Sequence, residues 1–140
     1  MDIKMQHAGL LKQHSLKVTP QRTAILNEIE KAGHIDVDHL FEILRSSFPS
    51  ISLATVYKNV NHMYQTGILE VIKVPKHKLQ YELMKKPHIH LACDQCGSVT
   101  DMHQCLDELI DSAETKSGFS LHHSSVVLNG TCPSCQTKSA

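Results

Sequence analysis

Residues 88–97 read HIHLACDQCG and bring two kinds of metal-binding side chain into one short stretch. Cys93 and Cys96 form a Cys-x-x-Cys pair, matched downstream by Cys132 and Cys135 in CPSC. Two such pairs let four thiolates converge on a tetrahedral ion. A site closed by four sulfurs leaves no position for a reacting water, so the chemistry implied is structural zinc. Disulfides or unrelated buried thiols are the alternatives. The stretch MDIKMQHAGLLKQHSLK lacks the apolar run of a secretory signal, and nothing approaches the ~20 apolar residues needed to cross a bilayer. A cytoplasmic protein is expected, and in a reducing compartment paired cysteines bind metal or do redox work rather than crosslink. Cys105 has no partner at this spacing and reads as a half-buried core thiol.

His88 and His90 are a separate pair. On a strand both point to one face, about 7 Å apart, while Ile89 and Leu91 point to the other. Glu82 and Asp101, at the ends of the preceding and following strands, are candidate carboxylates, and His34 could come from another lobe. Such a nitrogen- and oxygen-rich set suits Fe(II) or Mn(II) and tolerates Zn or Co. Ordinary packing of two histidines fits the same residues, and on this pattern both readings stand.

Elements must hold these groups. In LKVTPQRTAILNEIEKAG, Thr19 is an N-cap and Pro20 the first helical residue, Ala24, Ile25 and Ile29 follow at helical spacing, and Gly33 is the stop. DVDHLFEILRSSF offers Asp36 as cap and an apolar stripe of Val37, Leu40, Phe41 and Leu44. A third helix runs from a Ser52 cap to Gly67, with Leu53, Val56, Val60 and Met63 on one side. Ala54, Thr55, Lys58, Asn61 and His62 lie on the other, with Tyr57 at the border. ILEVIKV and LQYEL read as strands joined by the turn PKHK. Three helices and a hairpin make a winged helix, ending near residue 84. Beyond it, HIHLAC, SVTDMH and FSLHHSSVVLNG read as strands. QCLDELIDSAETK reads as a helix with Leu106, Leu109, Ile110 and Ala113 on one face. The fold class expected is α+β, with a winged-helix DNA-binding domain over 1–84 and a small α/β dimerisation and metal-binding domain over 85–140. Two small lobes would each be marginal alone, so a metal staple or dimerisation is expected.

Fourteen Lys and Arg balance fourteen Asp and Glu, yet the charges are unevenly placed. Between Ile3 and Asn27 there is no acid, while Lys4, Lys12, Lys17 and Arg22 are present; between Ile43 and Leu69 there is again none, with Arg45 and Lys58. Two acid-free windows are what a neutral protein needs to face phosphates, although a chance gap gives the same pattern. The polar face of the Ser52-capped helix could enter the major groove with Tyr57 and Lys58 leading, or it could be an ordinary surface helix. Two other chemistries compete. A zinc hydrolase would need an open coordination position and a base such as His103 or Glu108, but no HExxH-type signature is present. A thiol switch would use Cys93 and Cys96 without metal.

LKVTPQR at 16–22, GHIDVDHLF at 33–41, SLATVYKNV at 52–60, GIL at 67–69, HIHLACDQCG and CPSC together resemble the ferric uptake regulator family of metal-dependent repressors, over nearly the whole chain. The resemblance implies a homodimer that binds AT-rich palindromic double-stranded DNA and no membrane. Tyr57 and Lys58 would lie in the major groove and Lys17 in the minor groove, where narrow AT-rich DNA attracts positive charge. The DNA-facing set is then Lys17, Arg22, Ser52, Thr55, Tyr57 and Lys58. Cys93, Cys96, Cys132 and Cys135 would hold structural zinc. His34, Glu82, His88, His90 and Asp101 would hold regulatory Fe(II) or Mn(II), and no enzyme activity is implied. Metal tying the two lobes would favour the shape that binds DNA.

Two departures qualify the match. Pro87 and Ile89 flank the histidines and Ser124 stands where a further His is expected, so a third metal site seen in many iron regulators is expected to be absent, or rebuilt from His122, His123 or Glu108. Two sites resemble the peroxide-sensing members, which act by metal-catalysed histidine oxidation. Glu82 points instead to iron, because those sensors typically carry Asp there. Zinc-uptake regulators place a Cys among the regulatory ligands, and none matches here. The residues favour iron or manganese sensing, then peroxide sensing, then zinc.

Overall fold

The computed structural model describes the backbone of residues 3–138 and the side chains from residue 5, so the Lys4 side chain lies outside the described residues. The chain divides into two compact units, Met1–Lys73 with Lys78–Met84, and Val74–His77 with Lys85–Ala140.

The first unit runs α1 (Ile3–Gln13), α2 (Pro20–Ala32), β1 (Ile35–Asp36), α3 (Val37–Leu44), α4 (Leu53–Gln65), β2 (Leu69–Ile72) and β3 (Gln80–Leu83). Three of its helices start on the expected caps, whose side-chain oxygens take a backbone N–H that has no helical partner. Thr19 accepts from Arg22 N, Asp36 from His39 N and Ser52 from Thr55 N. Gly33 ends α2 at φ 79°, a backbone state that favours glycine, and its N–H donates to Ile29 O at 2.9 Å. Leu11, Ile25, Leu26, Ile29, Leu40, Val56, Met63 and Leu69 are among the side chains of one continuous aliphatic core. Each contributes about 1.5–3 kcal/mol on burial. Strand β3 lies between β1 and β2, antiparallel to both. This is a winged helix, with two elements beyond the sequence reading: α1, and the two-residue β1. Leu53 departs from its expected face. It opens α4 ahead of the core and is exposed, while Val56, Val60 and Met63 are buried.

The second unit runs β4 (Ile89–Cys93), β5 (Val99–Met102), α5 (Asp107–Ser117), β6 (Val126–Gly130) and α6 (Pro133–Lys138). Strand β4 pairs antiparallel with β5 and parallel with β6. The strand expected over 119–130 shortens to β6, because its partner β4 begins at Ile89, opposite Val126, and offers nothing to residues before it. The stripe expected on the helix over 104–116 is not covered. No α5 residue is buried and Leu109 is 58% exposed, while Leu106, just before the helix, is buried. Among the described residues, the buried apolar ones of this unit are few: Val74, Ile89, Ala92, Cys93, Leu106 and Cys135.

Candidate metal centres and nucleic-acid face

The cysteine cluster follows from strand register. Cys93 ends β4, and the next turn closes on itself, with Gly97 N donating to Cys93 O and Cys93 N to Ser98 O, both at 2.9 Å. Gly97 sits at φ 77°, which strains any other residue, and a Cβ there would meet the His77 ring at 2.7 Å, so that ring would have to shift. His77 itself donates Nε2–H to Asp94 O at 3.0 Å. Parallel pairing sets Cys93 opposite Gly130, which delivers Cys132, and Pro133 turns the chain into α6 so that Cys135 swings back. One sulfur from each of the four cysteines lies within 4.8 Å of every other, with Cys96 and Cys132 3.9 Å apart. A disulfide needs about 2.05 Å, whereas a tetrahedron with Zn–S near 2.3 Å has edges of about 3.8 Å.

Ionisation in the cluster is uneven. The Cys132 N–H, 3.4 Å from Cys93 Sγ, helps pull that thiol down to about 6. Ser98 lowers Cys96. Cys135 is pushed up to about 12, chiefly because its proton is held against Cys132. Four crowded sulfurs cannot all ionise against one another, and a divalent cation at their centre removes that conflict. The donor set therefore fits zinc. Cys105 stands apart from the four, and it is exposed rather than half-buried.

Within the first unit, His34 follows Gly33, and the β1–β3 register of Ile35 with Tyr81 sets it beside Glu82. His34 Nε2 lies 3.0 Å from Glu82 Oε2, and the Glu82 side chain is fully buried. Within the second unit, the β4–β5 register puts Asp101 directly across from His90. His88 and His90 are buried with ring centroids 4.3 Å apart. Asp101 Oδ1 is 3.5 Å from His88 Nε2 and 3.6 Å from His90 Nε2, and Lys85 Nζ is 3.1 Å from its other oxygen. His88 Nδ1 donates to Lys86 O at 2.9 Å, since a carbonyl can only accept. His88 Nε2 is left on the carboxylate side of the ring, where a cation between them would find a nitrogen and an oxygen donor. The first unit thus supplies one imidazole and one carboxylate and the second two imidazoles and one carboxylate, all without sulfur, donors of the kind that suit Fe(II), Mn(II), Zn or Co.

The DNA-facing set divides into exposed and withdrawn residues. Lys17, Ser52, Tyr57 (48% exposed) and Lys58 are exposed, the last two on α4. Thr55 is half-buried, with Oγ1 2.8 Å from Ser52 Oγ. Arg22 is half-buried as well. Its Nε donates to Asn59 Oδ1 at 3.1 Å and its Nη1 to Lys17 O at 2.8 Å. Asn59 was not singled out in the sequence, since nothing local marks a bond between positions 37 apart.

A winged helix continued into a unit with a four-thiolate cluster, each unit carrying an imidazole–carboxylate pair, defines a metal-binding transcriptional regulator. Residues 13–129 match the model of the Ferric uptake regulator family, and the chain belongs to that family. It is similar to the peroxide-responsive repressor PerR of Staphylococcus saprophyticus, at 32% identity over 91% of this chain and 88% of that protein. Among solved structures, the Campylobacter jejuni peroxide stress regulator matches with TM-score 0.74 and 29% identity, covering 96% of this chain and 100% of that one. The Vibrio cholerae ferric uptake regulator matches with TM-score 0.74 and 29% identity, over 89% and 98%. Among the described residues, no helix is long and apolar enough to cross a membrane.

Proposed function

We propose that this protein is a cytoplasmic, metal-activated repressor that binds AT-rich palindromic DNA as a homodimer and senses Fe(II) or Mn(II). Residues 1–84 read DNA, and residues 85–140 hold structural zinc through Cys93, Cys96, Cys132 and Cys135 and pair the two copies. The exposed apolar groups Leu109, Phe119, Leu121 and Leu128 support pairing, since a second copy would cover them. No catalysis is needed for this role.

The observation that carries the sensing role is the matched pair of clusters, His34 with Glu82 and His88 and His90 with Asp101. We propose that one regulatory ion takes ligands from both. When bound, it supplies positive charge that these imidazoles and carboxylates share. His34 and Glu82 anchor the DNA-reading unit, and His88, His90 and Asp101 anchor the other. Holding the five side chains together restricts the freedom between units, so less ordering remains to oppose DNA binding. At the DNA, Lys58 and Tyr57 on α4 face the major groove and Lys17 the minor groove. Replacing Lys58 by Ala is expected to weaken binding and to reduce the slope of log K against log salt by about 0.9.

A second reading, peroxide sensing, is favoured by the peroxide-responsive regulators this chain resembles. Glu82 favours iron sensing. Treating the Fe(II)-loaded protein with peroxide and mapping peptides by mass spectrometry separates the two. An added oxygen atom on His34 or His90 selects the peroxide reading, and unmodified histidines select iron sensing.

A further inference from the structure

A hydrogen-bonded chain crosses the first unit. Lys17 O accepts from Arg22 Nη1 at 2.8 Å, and Arg22 Nε donates to Asn59 Oδ1 at 3.1 Å. Asn59 Nδ2 donates to Thr55 O at 3.1 Å, which settles the amide orientation: its oxygen faces the guanidinium and its nitrogen the helix. Thr55 Oγ1 meets Ser52 Oγ at 2.8 Å, and Ser52 caps α4 by accepting from Thr55 N. At the other end, Arg22 N is itself held by Thr19 Oγ1 at 3.2 Å. The chain therefore runs from the loop that carries Lys17 to the first turn of α4.

We infer that Arg22 and Asn59 are positioning residues for DNA recognition, a strut that sets Lys17 at a fixed distance from the reading helix. The inference rests on the proposed reading in which Lys17 and α4 enter adjacent grooves. Charge alone would make Arg22 a phosphate anchor. Geometry adds a positioning role, because two of its five N–H donors are directed at protein acceptors on different elements. A lysine keeps the charge but presents no fork. It satisfies a phosphate contact and fails as a strut.

The test uses full-length protein loaded with Mn(II) and, as probe, the duplex that the wild-type protein enriches from a random-sequence pool. The strut predicts that Arg22→Lys and Asn59→Ala each weaken binding roughly tenfold, and that the double variant is no weaker than either single one. It also predicts that the Arg22→Lys penalty shrinks in a Lys17→Ala background. Thermal melts of Arg22→Lys matching wild type assign the loss to recognition rather than folding. Full binding by Arg22→Lys, or wild-type binding by Asn59→Ala, overturns the strut while leaving the repressor reading intact. A pool in which no duplex is enriched overturns that reading and the strut with it.

Discussion

The two units solve the problem of staying folded in different ways. The first closes an aliphatic core in which Leu11, Ile25, Leu26 and Met63 are completely buried, and the caps Thr19, Asp36 and Ser52 start its helices. The second has a three-stranded sheet, a helix with no buried residue and a handful of buried apolar groups, with four sulfurs gathered within 4.8 Å of one another. The first unit buries a continuous core; in the second the core is small, and a metal staple or dimerisation is expected to make up what burial alone does not supply.

Removing that coordination is the largest perturbation. Cys96→Ser, or stripping zinc with a strong chelator, should unfold the second unit, since structural zinc in small domains contributes on the order of 10 kcal/mol. In amide hydrogen exchange, β4–β6 should lose protection while α2–α4 keep theirs. Equal loss in both units would break the contrast. Next is Leu26→Ala, expected to destabilise the first unit by about 2–5 kcal/mol in denaturant while bound zinc per chain is unchanged. A fall in zinc content with this variant would mean that the units do not stand on separate supports. Ser52→Ala should destabilise the first unit by about 1 kcal/mol through the lost cap of α4, read as a shift in melting midpoint.

The smallest effect is in pH. Burial pushes Asp36 up, but bonds from the His39 N–H and ring outweigh it, and its carboxyl is held below the ordinary 3.8. The stabilisation is complete above the unfolded value and is lost as pH falls through the folded one. Asp36→Asn keeps the cap and should flatten this part of the acid limb in melts of the first unit. An unchanged limb would remove Asp36 from the account.

What the sequence made legible follows the same division. Helix starts and stops were readable because Thr19–Pro20, Asp36, Ser52, Gly33 and Gly67 act on their immediate neighbours. The cysteine knuckles were readable because spacing alone brings each pair together. Helix α1 was not, since among its described side chains only His7 and Leu11 are buried, too few to write a stripe. Likewise β1 is two residues long and exists only through its pairing with β3, so the approach of His34 to Glu82 was a suggestion from chemistry rather than from pattern. The overlong strand before Val126 and the exposed face of α5 failed for one reason. Both depend on what lies opposite, and periodicity carries no record of that. The bond from Arg22 to Asn59 is hidden in the same way.

The central claim is that one ion, held by imidazoles and carboxylates from both units, controls DNA binding. Its most direct test is the affinity of the wild-type, His34→Ala and His90→Ala proteins for the enriched duplex across a Mn(II) titration, with zinc retained throughout. Mn(II) should raise wild-type affinity by roughly 5–150-fold, the usual range of such coupling, and leave both variants flat. A variant whose affinity still climbs with Mn(II) as the wild type's does would contradict it.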